Sequence, residues 1–288
     1  MLRPLVISAA LVLGTSAAPR QVKVKPAIAK NSDRAIVSAN APSPNFDTQA
    51  EQQLLQLANE ARTRIGAPAL HFDEGLIMAA RAHAQVMAQQ GQLSHQFDGE
   101  PSLPHRLAAT SNLRLDHAGE NVALDVSPGQ AHQHLMHSPP HRENLLDPSF
   151  NVAGFGVIRF GERLYVVQDF GHSIPSYTAE QTEETIAAAI ARARRAEHLS
   201  ALTRRPDSEL RSAVCSMALE DRLATRAMRR LAQHYSTASY TNLHPEILPA
   251  NVVRLIGDQR FSNVAVGVCY GRTGTYPSGV YWVGLAFY

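Results

Sequence analysis

A chain of 288 residues, 44% hydrophobic and 18% charged, has globular composition and room for one large domain or two smaller ones. A net charge of +2 is too close to neutral for nucleic acid to be the main partner. The three lysines, Lys23, Lys25 and Lys30, share one short segment, and every later Lys/Arg position is an arginine.

Residues 1–18 read as a signal peptide. Arg3 gives the positive start, "LVISAALVLG" the apolar stretch, and "TSAA" a small-residue cleavage site near Ala17 or Ala18. A membrane-spanning helix needs about 20 residues, so this run is short for a span; an uncleaved anchor is the competing reading. No cysteine follows the run, which argues against lipid attachment. The expected mature protein is secreted or periplasmic, with no transmembrane segment after cleavage. Residues 19–46 are rich in Pro, Ala and Ser without a sustained period, which predicts a flexible linker.

Order is expected from Asp47 or Thr48. Thr48 and Glu51 fit a capping box, and Leu54, Leu57, Ala58, Ala61 and Ile65 recur at helical spacing until Gly66 and Pro68 end the run. A second helix runs from near Asp73 through Leu76, Ile77, Ala80, Ala84 and Met87 to Gly91. His83 lies on or beside its apolar face and reads as a buried histidine with one hydrogen-bond partner rather than a ligand. Residues 91–116 carry no regular period. Short helices are expected over residues 129–137 and Pro139–Leu146, then a hairpin of "VAGFGVIRF" and "RLYVVQDFG" joined at Gly161 and Glu162.

A C-terminal lobe starts at about Ser173. One amphipathic helix carries Ile186, Ile190 and Ala193, another Leu219, Leu223, Ala227 and Leu231, with "RAMRR" as a solvated basic face. The chain ends in a second hairpin, "NVAVGVCYGR" and "GVYWVGLAFY". Both hairpins follow helices and share the order Phe, Asn-Val-Ala, glycine-punctuated strand, turn, aromatic strand, which suggests a degenerate internal repeat. Cys215 and Cys269 are the only cysteines, and export favours a disulfide between them; two buried free thiols are the alternative. Closing that loop stabilises a fold by roughly 4 kcal/mol in the chain-entropy treatment.

The ordered motifs "LSH" (residues 93–95), "GEN" (119–121), "SPPHREN" (138–144), "GFGV" (154–157) and "VVQDFG" (166–171) resemble the CAP superfamily of cysteine-rich secretory and pathogenesis-related proteins, its bacterial branch above all. "NEARTRIGAPAL" and "ARAHAQVMA" fit the same family, and the resemblance covers residues 48–172. It implies an α+β fold: an α-β-α sandwich over 47–172 with a polar cleft, followed by the lobe of 173–288. In the family two histidines and acidic partners line the cleft, and some members bind zinc or another divalent metal there. The resemblance puts His95 and His141 at the paired histidines, also the possible metal ligands, and Glu120 at the first acidic position. The second acidic position falls near His137 or Ser138 and is lost, and a tryptophan common just before it is replaced by Leu135.

Two imidazoles and a carboxylate with an open position suffice for zinc, and without metal they can act as bases with an orienting acid. Ser138 before two prolines reads as an N-cap, placing His141 in a first helical turn whose dipole lowers its pKa. Against this, His95, Glu120 and His141 could simply hydrogen-bond one another and pin loops. Asn121, Arg142 and Asn144 are candidate ligand-binding residues, though Arg142 and Asn144 fit loop anchoring as well. His134 and His137 read as exposed, and Gln168 and Asp169 as ties between the last strand and the cleft floor. No Gly-x-Ser-x-Gly, no His-Glu-x-x-His and no cysteine in the first half supports ordinary serine, zincin or cysteine proteolysis. The leading expectation is an exported binding module for a cell-envelope, lipid or extracellular protein partner. A metal-dependent hydrolase using His95, Glu120 and His141 is the alternative, and a structural two-lobed protein with a vestigial cleft a further one.

Overall fold

The computed structural model of the protein describes residues 46–288; the expected signal peptide and all of the linker except Phe46 lie outside them. The first helix, α1 (Thr48–Arg64), starts one residue earlier than a Thr48 cap would have it. Asp47 is the N-cap and accepts from the Ala50 amide at 3.0 Å. Glu51 does not turn back to form a capping box. It points inward, 2% exposed, and accepts both prongs of Arg81 at 2.9 and 2.6 Å.

After α1 come β1 (His71–Phe72), α2 (Glu74–Gln90), α3 (Leu103–Thr110), β2 (Arg114–Asp125), α4 (Pro128–His137), α5 (Pro139–Leu146), β3 (Val152–Phe160) and β4 (Arg163–Ile174). The strands form one sheet in the order β1-β3-β4-β2, with β1 parallel to β3 and the rest antiparallel. Side chains alternate across a strand, so the sheet has two buried faces. Ala153, Phe155, Val157, Val166 and Phe170 pack with α1, α4 and α5. Val122, Ile158, Tyr165 and Val167 pack with α2. Gly154 and Gly156 let α2 lie directly on β3: a Cβ on Gly156 would stand 2.4 Å from the Ala80 carbonyl carbon.

α3 and β2 occupy the stretch without a readable period. α3 is a short helix opened by a proline, and β2 turns Glu120 and Asn121 inward, so polar residues replace the apolar alternation that marks a strand.

The second lobe comprises α6 (Ala179–Ala196), β5 (Thr203–Arg204), α7 (Ser208–Leu219), α8 (Arg226–Leu231), β6 (Ser236–Asn242), α9 (Ala250–Ile256), β7 (Asn263–Gly271) and β8 (Val280–Phe287). Its sheet has the order β5-β7-β8-β6 with the same parallel and antiparallel pairings as the first. Two buried pins recur at the same spacing along α1 and α6. Glu183 accepts both prongs of Arg211 at 2.9 and 2.8 Å, as Glu51 does those of Arg81. Arg62 donates to the carbonyls of Pro68, Leu145, Asp147 and Phe150, and Arg194 to those of Ser200, Ile256 and Asp258.

One expected helix is broken. Leu219, Leu223, Ala227 and Leu231 do not share a face: α7 ends at Leu219, which is 87% exposed, and α8 restarts behind Thr225, whose hydroxyl caps the Met228 amide. The apolar face is made by Leu210, Val214, Met217, Met228 and Leu231 instead. Cys215 of α7 is disulfide-bonded to Cys269 of β7.

Three contacts join the lobes. Arg272 donates to the carbonyls of Ala108, Ser111 and Leu113 at the C-terminal end of α3, where a cation also complements the helix dipole. Arg114 stacks on Tyr270 at 3.9 Å and bonds the Tyr281 hydroxyl. Asp116 accepts from His172 at 2.7 Å and His244 at 3.1 Å. Among the described residues no helix is long and apolar enough to cross a membrane.

Candidate functional site

The site straddles β2, which is the edge strand of the first sheet. Glu120 of β2 lies directly opposite Asp169 of β4, both facing α2 and α3. Asn121 and Gln168, the next pair along, face α5. His95 arrives from the loop between α2 and α3, and His141 from α5 on the other side of the sheet. His95 bonds the Glu120 side chain and the His141 carbonyl accepts from Asn121, so the two histidines are anchored to adjacent residues of β2 on its opposite faces.

Glu120 is the hub. One carboxylate oxygen accepts from His95 Nδ1 at 2.8 Å and the other from Arg106 of α3, with the Glu120 side chain 4% and the Arg106 side chain 6% exposed. His83 packs behind, fully buried, its two ring nitrogens against Glu100 at 2.6 Å and the Ser94 carbonyl at 2.8 Å, so it has two partners rather than one. Asp169 is wholly buried, and neither of its oxygens has a donor. Burial, then the charge of Glu120, pushes the Asp169 carboxyl well above the usual carboxylate range. Burial thus favours the neutral form of the Asp169 carboxyl, while Glu120 is the carboxyl that Arg106 bonds.

The two cleft histidines are tuned in opposite directions. The hydrogen bond from His95 to Glu120 raises the His95 pKa. Burial, then the charge of His95, lowers that of His141. Ser138 stands at the N-cap of α5 without capping it; its hydroxyl meets His141 Nδ1 at 2.9 Å. That contact orients the ring and leaves Nε2 without a hydrogen-bond partner among the described residues.

A ladder of amides holds the far side. Asn121 donates to the His141 carbonyl at 3.0 Å, and Asn144 to the Glu120 carbonyl and the Asn121 side chain at 3.2 and 3.0 Å. Asn121 and Gln168 are wholly buried, so Asn121 positions β2 against α5 from beneath the cleft. Arg142 projects from α5 into solvent beside Glu143. His134 and His137 are exposed, each with one partner, Asp125 and the Gln133 carbonyl.

The structure thus brings together His95, Glu120 and His141, with Asn121 and Asn144 as their frame, and leaves Arg142 outside. Sequence reasoning missed Arg106, whose "LPHRL" context carries no pattern. Asp169 was readable as a charge inside an otherwise apolar strand, the kind of buried polar residue that calls for explanation.

Nδ1 of His95 and both oxygens of Glu120 are already engaged, leaving two imidazole nitrogens. Among the described residues no three His, Cys, Asp or Glu side chains gather as a metal-holding group.

Residues 55–170 match the Cysteine-rich secretory protein family, CAP. The match covers most of the first lobe, which is CAP-like. Two Bacillus subtilis (strain 168) proteins are related to it. The uncharacterized protein YkwD is 29% identical over 154 residues, covering 51% of this chain and 60% of YkwD. The uncharacterized membrane protein YlbC is 31% identical over 126 residues, covering 43% of this chain and 35% of YlbC. The chain therefore spans only part of either relative. Among solved structures, an extracellular SCP-domain protein of Bacillus anthracis str. Ames is 29% identical over 44% of this chain and 41% of its own, with a TM-score of 0.40. Na-ASP-1 is similar over 88% of this chain and 91% of its own at 9% identity, with a TM-score of 0.45.

Proposed function

We propose that this is an exported protein whose CAP cleft binds a cell-envelope, lipid or extracellular partner rather than turning a substrate over. The observation that carries this reading is the state of Glu120. Both Glu120 oxygens are engaged within the protein, one by His95 and one by Arg106, so the carboxylate holds its neighbours in place. What the cleft offers instead is recognition: the half-exposed His95 ring and the free nitrogen of His141, held at fixed positions by buried partners.

The test uses the full-length chain with His95→Ala and His141→Ala variants, assayed for retention on isolated envelopes and on vesicles of extracted lipid. Retention by the parent, weakened in both variants while circular dichroism is unchanged, supports the reading. Equal retention by all three overturns it. A stoichiometric divalent ion in protein purified without chelator, with hydrolysis that depends on it, would favour the metal-dependent hydrolase instead. Loss of retention only on removing residues 173–288 would favour a structural two-lobed protein.

A further inference from the structure

A partly open cavity of about 460 Å³ lies between the two lobes, and none of the cleft residues lines it. Its volume falls in the range of about 300–1,000 Å³ typical of small-molecule sites. The end of β4 supplies Ile174 and the link after it Pro175 and Tyr177, α6 supplies Thr182 and Thr185, and the loop after β6 supplies Leu243 and Pro245 beside the Tyr281 ring. The walls are therefore mostly apolar, and the polar groups collect at one end, at His172, His244 and Glu246.

That polar end is rich in acceptors. His172 and His244 each spend an N–H on Asp116, at 2.7 and 3.1 Å, so in the neutral imidazole the remaining nitrogen of each ring is an acceptor. Thr182 and Thr185 donate their hydroxyls to the Thr178 and Gln181 carbonyls, leaving oxygen lone pairs. Glu246 accepts no hydrogen bond from any described residue; its nearest charge-bearing neighbour is His244 Nδ1, 4.0 Å away. No lysine or arginine lines the cavity.

We infer that this cavity binds a small organic ammonium ion, an amine with an apolar body. The apolar part would lie against Ile174, Leu243 and Pro245. The ammonium would donate to Glu246 and the free histidine nitrogen, with the Tyr177 ring available for cation–π contact, since Arg114 already lies over the Tyr281 ring. A carboxylate ligand would meet Glu246 and acceptor nitrogens, so complementarity of charge selects the amine. The site is independent of the cleft and of whatever the cleft binds.

The test titrates hexylamine, hexanol and hexanoate into the full chain by calorimetry, with amide resonances followed by NMR. Hexylamine should saturate one site and shift the resonances of residues 172–177 and 243–246. Glu246→Gln should weaken it by about tenfold, and Leu243→Trp, which fills the apolar end, should weaken it as much or more. Hexanoate binding as tightly as hexylamine, affinity unchanged in Glu246→Gln, or no saturable hexylamine binding to the parent each overturns the assignment. Because Glu246 lies on a partly exposed loop, its variant does not depend on the core to fold.

Discussion

At the scale of single residues, the cleft is a problem in placing charge. Glu120 and Asp169 stand side by side with one arginine between two carboxyls, and the outcome is one carboxylate and one acid. Two isosteric changes separate these roles. Glu120→Gln leaves the buried Arg106 guanidinium without its anion, and removing one partner of a buried pair costs about 3 kcal/mol. Asp169→Asn should match the parent's stability at or below about pH 4, where the Asp169 carboxyl is largely protonated even in the unfolded chain. The pH dependence follows in sign. The folded pKa of Asp169 lies above its unfolded value, so the parent binds more protons folded than unfolded and loses stability as pH rises from about 4. Asp169→Asn removes that loss, so denaturant unfolding should show the variant gaining on the parent between about pH 4 and 7. A variant that falls behind over that interval would show Asp169 to be the ionised member.

The cleft histidines make a second prediction. The raised His95 pKa contributes stability that is complete below about 6.5 and fades as pH rises through the folded value; the lowered His141 pKa contributes stability above about 6.5 that fades as pH falls. In an NMR titration of the imidazole protons His95 must therefore titrate at the higher pH. The reverse order, or coincident midpoints, contradicts the Glu120 geometry. In Glu120→Gln the two midpoints should draw together.

At the scale of elements, much was legible where packing and sequence period agree. α2 buries one continuous face and the hairpin of β3 and β4 both of its faces, and Asp73, Gly91 and Gly161 punctuate them, with Gly91 and Gly161 at φ of 66° and 62°. β2 was not legible as a strand, because a strand that carries a site must turn polar residues inward. Arg106 was hidden for a related reason: its partner is set by how α3 lies against β2, a tertiary fact with no local trace. The broken second helix failed on burial, since Leu219 and Leu223 fit the period but leave the core at the turn after α7.

The close seat of α2 on β3 is testable at this scale. Gly156→Ala inserts a methyl 2.4 Å from helix backbone that no side-chain rotation can clear. It should cost about 1–3 kcal/mol, seen as a lower thermal midpoint, whereas Gly129→Ala, on the open side of α4 with no atom within 4 Å, should leave the midpoint unchanged or raise it. Equal effects would mean that the glycines of β3 are not what seats α2.

At the scale of the whole molecule, two lobes of like topology carry unlike chemistry. The buried pins on α1 and α6 are matched, and both sheets share one strand order, yet the imidazole and carboxylate groups gather only in the first. The hairpin likeness read from the sequence therefore sits within a matched pair of sheets, while the matching pins escaped notice because single glutamates and arginines look like surface residues until their burial is known. The disulfide is confined to the lobe without the cleft. Removing it by Cys215→Ser should cost that lobe about 4 kcal/mol, while the CAP-like lobe, whose core contains no cysteine, should keep its own unfolding transition.

One neighbour of that disulfide has an optical consequence. Trp282, the only tryptophan, pairs with Cys269 across β7 and β8 and is 2% exposed. A disulfide quenches a nearby excited indole, so reduction should brighten the emission before any unfolding reddens it. The protein thus carries an intrinsic fluorophore that reports the redox state and integrity of its second lobe and is blind to the first.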